Sequence, residues 1–74
     1  METINQSFGR RLRKMREAHN LTREKLGEEL GISSTSVYSI ERGSQWVSPK
    51  TLDAISTFFK EFVLLFKIHP AELR

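Results

Sequence analysis

The chain of 74 residues contains no cysteine, so neither a disulfide nor a thiolate metal site is available to it. Its two histidines, His19 and His69, stand far apart with no cluster of metal ligands around them. No glycine-rich phosphate loop is present, and no histidine accompanies a nucleophile or a carboxylate pair in a recognised catalytic arrangement. We therefore expect no enzymatic activity, no cofactor or metal, and no small-molecule ligand.

Long apolar runs are also missing. The longest, FVLLF at residues 62–66, is far shorter than the roughly 20 residues that a membrane-spanning helix needs. The first residues are polar and lack the apolar core of a signal peptide. We therefore expect a soluble, cytoplasmic protein with no membrane association. Residues 1–74 are expected to form one small domain, near the size limit for independent folding, where a partner subunit would help.

The surplus of positive charge is small and concentrated. Twelve Lys and Arg against nine Asp and Glu leave a net charge of +3. Five of the basic residues fall within RRLRKMR, residues 10–16. Such a cluster is more often a solvated helix face than a binding patch, so charge alone does not identify a partner.

Apolar residues recur with helical spacing along most of the chain, which predicts an all-α fold. We expect a compact bundle of four to five helices that contains a helix-turn-helix. In the first helix, Ser7 is the candidate N-cap, and Leu12 and Met15 belong to the apolar stripe. The predicted helices cover residues 7–19, 23–30, 34–42 and 49–60, followed by a C-terminal helix at about 62–68.

The last apolar stripe begins at Leu52 and extends further than a small core can cover. Either the chain turns near Lys60 and Glu61 into a further helix, or one long helix continues. Both alternatives leave aromatic surface exposed, and self-association is the simplest explanation for it. The C-terminal part, about 58–74, is therefore expected to contribute to a homodimer. The candidate interface residues are Phe58, Phe62, Leu65 and Phe66.

Two residues conflict with their helical positions and so predict specific contacts. Gly27 interrupts a helix interior at a cost of roughly 1 kcal/mol relative to alanine, so we expect another helix to cross closely there. Arg16 follows Leu12 by four residues and leans towards the core, where a guanidinium group needs a carboxylate. Glu41 is the candidate partner, and the two are predicted to form a structural ion pair.

The stretch GISSTSVYSIERG, residues 31–43, has few strong helix formers, yet its apolar residues are spaced as on a helix. Val37 and Ile40 are three apart and predict one buried face. The opposite face would then be polar, which by itself is typical of ordinary solvated surface. Its members are Ser34, Thr35, Tyr38 and Ser39.

The longer segment LTREKLGEELGISSTSVYSIERG, residues 21–43, resembles the helix-turn-helix core of the Cro/phage-repressor (Xre-like) transcriptional regulators. GIS and IERG are the most specific parts of a likeness that covers roughly residues 8–59. The resemblance implies a lambda-repressor-like bundle that binds palindromic double-stranded DNA as a homodimer. Small members of the family include phage repressors, restriction-modification controller proteins and antitoxins, so a bacterial or phage origin is expected.

The resemblance also assigns roles to individual residues. The helix at 34–42 would lie in the major groove, with its four outward residues as candidates for base readout. Hydroxyl groups discriminate bases less sharply than Arg–guanine or Gln–adenine pairs, so DNA shape is expected to contribute to specificity. The candidate phosphate ligands are Arg23, Ser33, Arg42, Ser44, Gln45 and Lys50.

Three features depart from the family pattern. Arg23 stands where the family often has a glutamine that contacts a phosphate. The loop SQWV, residues 44–47, replaces a loop often rich in Lys and Arg, and its Trp46 is expected at the core edge or the dimer interface. The ending IHPAEL, residues 68–73, arrives several residues late. An alternative function is a protein-interaction module, such as an antitoxin or anti-repressor, that uses the apolar C-terminal surface.

Overall fold

A computed structural model describes residues 1–65 of the chain, with side chains for residues 1–60. This part of the chain has four helices and no strand, which confirms the all-α prediction. None of these helices is both long enough and apolar enough to span a bilayer. The helices are α1 (Ile4–Ala18), α2 (Arg23–Leu30), α3 (Ser34–Arg42) and α4 (Pro49–Leu65).

Helix α1 begins three residues before its predicted start at residue 7 because its N-cap is Thr3 and not Ser7. The Gln6 backbone N–H donates to Thr3 Oγ1 at 3.1 Å, and the Thr3 backbone N–H donates to Gln6 Oε1 at 2.9 Å. This reciprocal capping box satisfies two backbone donors at the helix start. At the other end, Asn20 has a φ of 57°, the left-handed conformation that ends a helix.

Helices α2 and α3 have the predicted bounds because both ends of each are capped. The hydroxyls of Thr22 and Ser33 each accept a hydrogen bond, at 3.0 Å, from the backbone N–H three residues later. Gly31 and Gly43 then end the helices with φ values of 74° and 80°. Such positive values favour glycine, which has no Cβ to clash.

Helix α4 starts as predicted, with the Ser48 hydroxyl accepting a hydrogen bond from the Thr51 backbone N–H at 3.1 Å. It then continues through Lys60 and Glu61 to Leu65, so the predicted end at residue 60 is wrong. Both residues are good helix formers, and no glycine or proline is present there to break the helix. Of the separate helix predicted at 62–68, residues 62–65 belong to α4 and the rest lie outside the described residues.

The core lies between the four helices and includes Val47 from the loop before α4. Met15 and Leu52, which belong to the predicted apolar stripes, are 40% and 43% exposed. Residues four apart lie on the same face of a helix. The buried face of α1 is therefore formed by Leu12 and Arg16, and the buried face of α4 includes Thr51. The buried hydrophobic residues are Leu12, Leu26, Leu30, Val37, Ile40, Val47, Ile55 and Phe59.

Two glycines permit close backbone approaches that position α3. A Cβ on Gly9 would collide with the backbone carbonyl groups of Ile40 and Glu41, so α1 and α3 pack with almost no space between them. A Cβ on Gly27 would lie 2.6 Å from the Ile32 carbonyl oxygen. The close approach predicted at Gly27 is therefore present, but its partner is the turn before α3 and not another helix.

Candidate nucleic-acid interface

One face of helix α3 packs against the rest of the domain, and the opposite face points outward. Val37 and Ile40 are 0% and 2% exposed, and Glu41 is 8% exposed. On the outer side, Thr35 and Tyr38 are exposed. The other two candidates for base readout, Ser34 and Ser39, are only half-buried. All four side chains therefore retain accessible surface on one side of α3.

The buried carboxylate of Glu41 receives two guanidinium groups. Arg16 donates from Nε to Oε2 at 2.6 Å and from Nη2 to Oε1 at 3.3 Å, which is the ion pair expected between these residues. Arg23 donates from Nε to Oε1 at 3.2 Å. Arg16 is nearly buried, whereas the Arg23 side chain is 35% exposed. Glu41 thus connects the core to the outer surface of the helix-turn-helix.

Arg23 also belongs to a second group of contacts, on the outer face of α3. Its Cζ lies 5.1 Å from the ring centroid of Tyr38, and Arg42 Cζ lies 5.4 Å from the same centroid. Both distances are within the range of cation–π attraction. Arg42 Nη1 additionally donates to the Tyr38 hydroxyl oxygen at 3.3 Å. We call Arg23, Tyr38 and Arg42 the arginine–tyrosine cluster.

Next to this cluster, an open depression of about 200 Å³ separates the N-terminal ends of α2 and α3. Arg23 and Tyr38 line one part of it, and Ser34 and Thr35 line another, together with Glu24. Four of these five residues are candidates for DNA contact. The structure therefore brings Arg23, predicted for phosphate contact, beside the residues predicted for base readout.

The remaining phosphate candidates differ in how their polar groups are used. The Ser33 hydroxyl accepts from the Ser36 backbone and donates to the Ser36 hydroxyl at 3.1 Å. Ser44 donates to the Ser39 carbonyl from its hydroxyl at 3.2 Å and from its backbone at 3.0 Å. Arg42, Gln45 and Lys50 have exposed side chains. Exposed side chains are therefore better placed for phosphate contact than the hydroxyls of Ser33 and Ser44.

Part of the basic stretch at residues 10–16 of α1 is paired with nearby carboxylates. Arg10 Nε lies 3.1 Å from Glu2 Oε2, and Arg13 Nε lies 3.2 Å from Glu17 Oε2. The hydrogen bond from Arg10 holds the pKa of the Glu2 carboxyl below its usual value. These exposed pairs favour the interpretation of the stretch as a solvated helix face.

Of the candidate dimer residues, only Phe58 has a described side chain. It is half-buried, and its ring packs edge-on against Phe59 with centroids 5.1 Å apart. The side chains of Phe62, Leu65 and Phe66 lie outside the described residues. Trp46 is 51% exposed, with its ring centroid 5.7 Å from that of Phe8 at the edge of the core.

Comparison with protein families gives a match. The family model described as Helix-turn-helix matches residues 12–61, which is more than half of the chain and includes all of α2 and α3. The chain belongs to the Cro/phage-repressor (Xre-like) helix-turn-helix family. Searches of curated proteins and of solved structures found no match.

Membership in the Xre-like family makes this a DNA-binding helix-turn-helix domain, from a family that is generally not enzymatic. In an Xre-like domain, α2 and α3 are the two helices of the motif. The sequence did not reveal the arginine–tyrosine cluster. Arg23 and Tyr38 are 15 residues apart on different helices, so no helical spacing relates them.

Proposed function

We propose that this protein is a sequence-specific transcriptional regulator that binds a palindromic operator as a homodimer. The observation that carries the proposal is the division of α3 into two faces. Its inner face is attached to the core through buried Val37, Ile40 and Glu41, while its outer face carries hydroxyl groups beside two guanidinium groups. This arrangement suits a helix that enters the major groove, which is wide enough to admit one.

Base readout is assigned to Ser34, Thr35, Tyr38 and Ser39 on that outer face. Phosphate contact supplies affinity and register but no direct sequence information. For this role, the strongest support is for the half-buried side chain of Arg23 and the exposed side chains of Arg42, Gln45 and Lys50. Ser33 and Ser44 are also assigned contacts to the DNA backbone. Their support is weaker because their hydroxyls already form internal hydrogen bonds.

The homodimer would place two copies of α3 in successive major grooves. For dimeric helix-turn-helix proteins the half-sites lie about one helical turn, or roughly 34 Å, apart. In this proposal, residues 1–74 act as one DNA-binding domain, and residues 58–74 contribute to the dimer contact. The protein would act in the cytoplasm of a bacterium, where its DNA lies.

A selection from random double-stranded DNA, followed by gel-shift titration, tests the proposal. We expect the selected sequences to share an inverted repeat and to bind more tightly than random DNA at the same salt concentration. Thr35→Ala should reduce this difference by about 1 kcal/mol, the value of one hydrogen bond. Ser56→Ala on α4, which also removes an exposed hydroxyl, is the control and should have no effect.

Two results would contradict the proposal. Selection that yields no sequence preferred over random DNA at low salt would remove the claim of sequence-specific binding. An equal loss of affinity for selected and random DNA in Thr35→Ala would remove the base-readout assignment of that residue. Arg23→Ala, by contrast, is expected to weaken binding to both kinds of DNA, because phosphates are common to all sequences.

A further inference from the structure

Two guanidinium groups lie against the ring of Tyr38, and they restrict what its hydroxyl can recognise. A guanidinium group has five N–H donors and no acceptor, and two such groups lie within 5.4 Å of the ring centroid. A tyrosine hydroxyl has one donor and can accept as well. Because Arg42 Nη1 donates to this hydroxyl oxygen, its hydrogen is directed away from Arg42.

The position of the ring is held from within the domain. Arg23, which packs on the ring, is itself bonded to Glu41, whose side chain is 2% exposed. Glu41 in turn is held by the nearly buried Arg16. The contacts therefore run from the core through Arg23 to Tyr38, so the ring is positioned before any DNA arrives. Such preorganisation lowers the ordering cost of a contact and makes it more selective.

The four bases differ in what they present to such a donor in the major groove. Guanine presents two acceptors, N7 and O6, and thymine presents the O4 acceptor. Cytosine presents an amino donor at N4, and adenine combines an acceptor at N7 with an amino donor at N6. An amino group would bring its positively polarised hydrogens towards the two guanidinium groups, which is unfavourable. A keto oxygen would instead direct a lone pair towards the hydroxyl hydrogen and the guanidinium groups, which is favourable.

We infer that the arginine–tyrosine cluster makes Tyr38 a donor that selects a keto base, guanine or thymine, at the operator position it faces. This inference rests on the proposed function, since it names the base class that one of the readout residues takes. Tyr38 contacts the base, and Arg23 and Arg42 are positioning residues that give its hydroxyl a donor character. The result is a preference against adenine and cytosine at that one position.

The first test compares wild type and Tyr38→Phe in selection from random DNA, with Ser56→Ala as the control that also loses one hydroxyl. Wild type is expected to enrich guanine or thymine at a position in each half-site. In Tyr38→Phe that preference should fall about fivefold, the value of one hydrogen bond, while the other positions keep theirs. Ser56→Ala should give the wild-type pattern at every position.

Three outcomes of this test overturn the inference. In the first, Tyr38→Phe changes no single position, so the hydroxyl reads no base. In the second, the variant loses the same factor on all sequences, which identifies a phosphate as the partner of the hydroxyl. In the third, the position that changes had enriched adenine or cytosine. In all three cases wild type still selects a sequence, so the proposed function stands. Wild type selecting no sequence would overturn both.

The second test separates the role of Arg42 from that of Tyr38. Arg42→Gln removes the positive charge, whereas Arg42→Lys keeps a cation that only donates. Both variants are expected to lose some affinity for all sequences. The ratio of keto to amino bases at the Tyr38 position should fall about fivefold in Arg42→Gln and less than twofold in Arg42→Lys. An unchanged ratio in Arg42→Gln would show that the cluster does not set the donor character of Tyr38.

Discussion

At the scale of single residues, burial of the Glu41 carboxylate has the widest consequences. A charge removed from water is tolerated only with close partners of opposite sign, and its side chain is 2% exposed. Arg16 supplies one partner from α1, and Arg23 supplies the second from α2. The same carboxylate therefore ties three helices together and holds a residue of the candidate DNA-binding face in place.

We expect Glu41→Gln to lower the free energy of unfolding by roughly 3 kcal/mol, because it leaves the buried guanidinium of Arg16 with only the exposed carboxylate of Glu17, 4.0 Å away, as a countercharge. Urea denaturation followed by circular dichroism measures the change. Arg23→Gln is the matched variant, since it removes the more exposed partner of the same carboxylate, and it should cost less than about 1 kcal/mol. Equal losses in the two variants would mean that burial does not decide the strength of these contacts.

Gly9 offers a second test at this scale, and no pattern in the sequence indicated its close packing. Gly9→Ala would place a Cβ against the backbone carbonyls of Ile40 and Glu41, which cannot move without shifting α3. We expect thermal denaturation to show a loss of about 2–3 kcal/mol, in the range of overpacked cores.

Gly31→Ala is the control for Gly9→Ala. Its Cβ would meet no atom within 4 Å, so only its φ of 74° opposes the substitution. A left-handed residue with a side chain costs about 1–2 kcal/mol. If Gly31→Ala proves the more destabilising of the two, the close packing of α1 on α3 is not as tight as the structure indicates.

At the scale of helices, capping residues and glycines decided which bounds were predictable. Thr22, Ser33 and Gly31 are strong local signals, and the bounds predicted from them are confirmed for α2 and α3. The start of α1 was missed because the capping box lies ahead of the apolar stripe that identified the helix. The extent of α4 was left between two alternatives because apolar spacing does not distinguish a continuous helix from a turn at residues 60 and 61.

The candidate site, too, was only partly predictable from the sequence. The outward position of Thr35 and Tyr38 follows from helical periodicity, as does the approach of Arg16 to the core. The contacts of Arg23 do not follow from any periodicity, because they depend on how α2 crosses α3. That crossing is determined by close backbone approaches such as the one at Gly27, for which the sequence indicates a contact but not its partner.

Ser33 allows the stability of α3 to be separated from contact with DNA. Ser33→Ala removes the N-cap and should cost about 1 kcal/mol of unfolding free energy. Ser33→Asp keeps a good N-cap and adds a negative charge beside the proposed phosphate contact. We expect its stability in urea to match that of wild type, while its DNA affinity in gel shifts falls. Unchanged DNA affinity in Ser33→Asp would mean that no phosphate lies near the start of α3.

At the scale of the whole molecule, the net charge of +3 leaves few cations for DNA. Two arginines of the basic stretch in α1 form ion pairs with Glu2 and Glu17. The stretch therefore adds little to the electrostatic attraction between the protein and DNA. The affinity should then depend on a small number of phosphate contacts. Each contact contributes about −0.9 to the slope of log K against log salt.

Arg23→Gln tests one of these contacts through that slope. Glutamine is the residue often found at this position in the family, so the fold should tolerate it. If each protomer of a dimer loses one phosphate contact, the slope should become shallower by about 2. Fluorescence anisotropy at several salt concentrations measures it. A slope equal to that of wild type would show that Arg23 serves only Glu41 and Tyr38 and contacts no phosphate.

The proposed dimer is a property of the whole molecule, and Phe62→Glu tests it. Phe58, Phe62 and Phe66 follow one another at intervals of four in the part of the chain expected to hold the partner. A charge placed in an apolar contact between subunits would be desolvated without a partner, so we expect sedimentation equilibrium to show a monomer. Thr57→Glu, at an exposed position of α4, should remain dimeric.

The same two variants connect assembly to DNA binding. Two half-sites held by one dimer bind together because the second contact is made at high effective concentration, and a monomer loses this advantage. Phe62→Glu should therefore bind the full operator at least about 100-fold more weakly, while its affinity for an isolated half-site stays the same. If Phe62→Glu stays dimeric, the subunits associate through another surface. The groove between α1 and α4, lined by Phe8, Met15 and Ile55, is then the next surface to substitute.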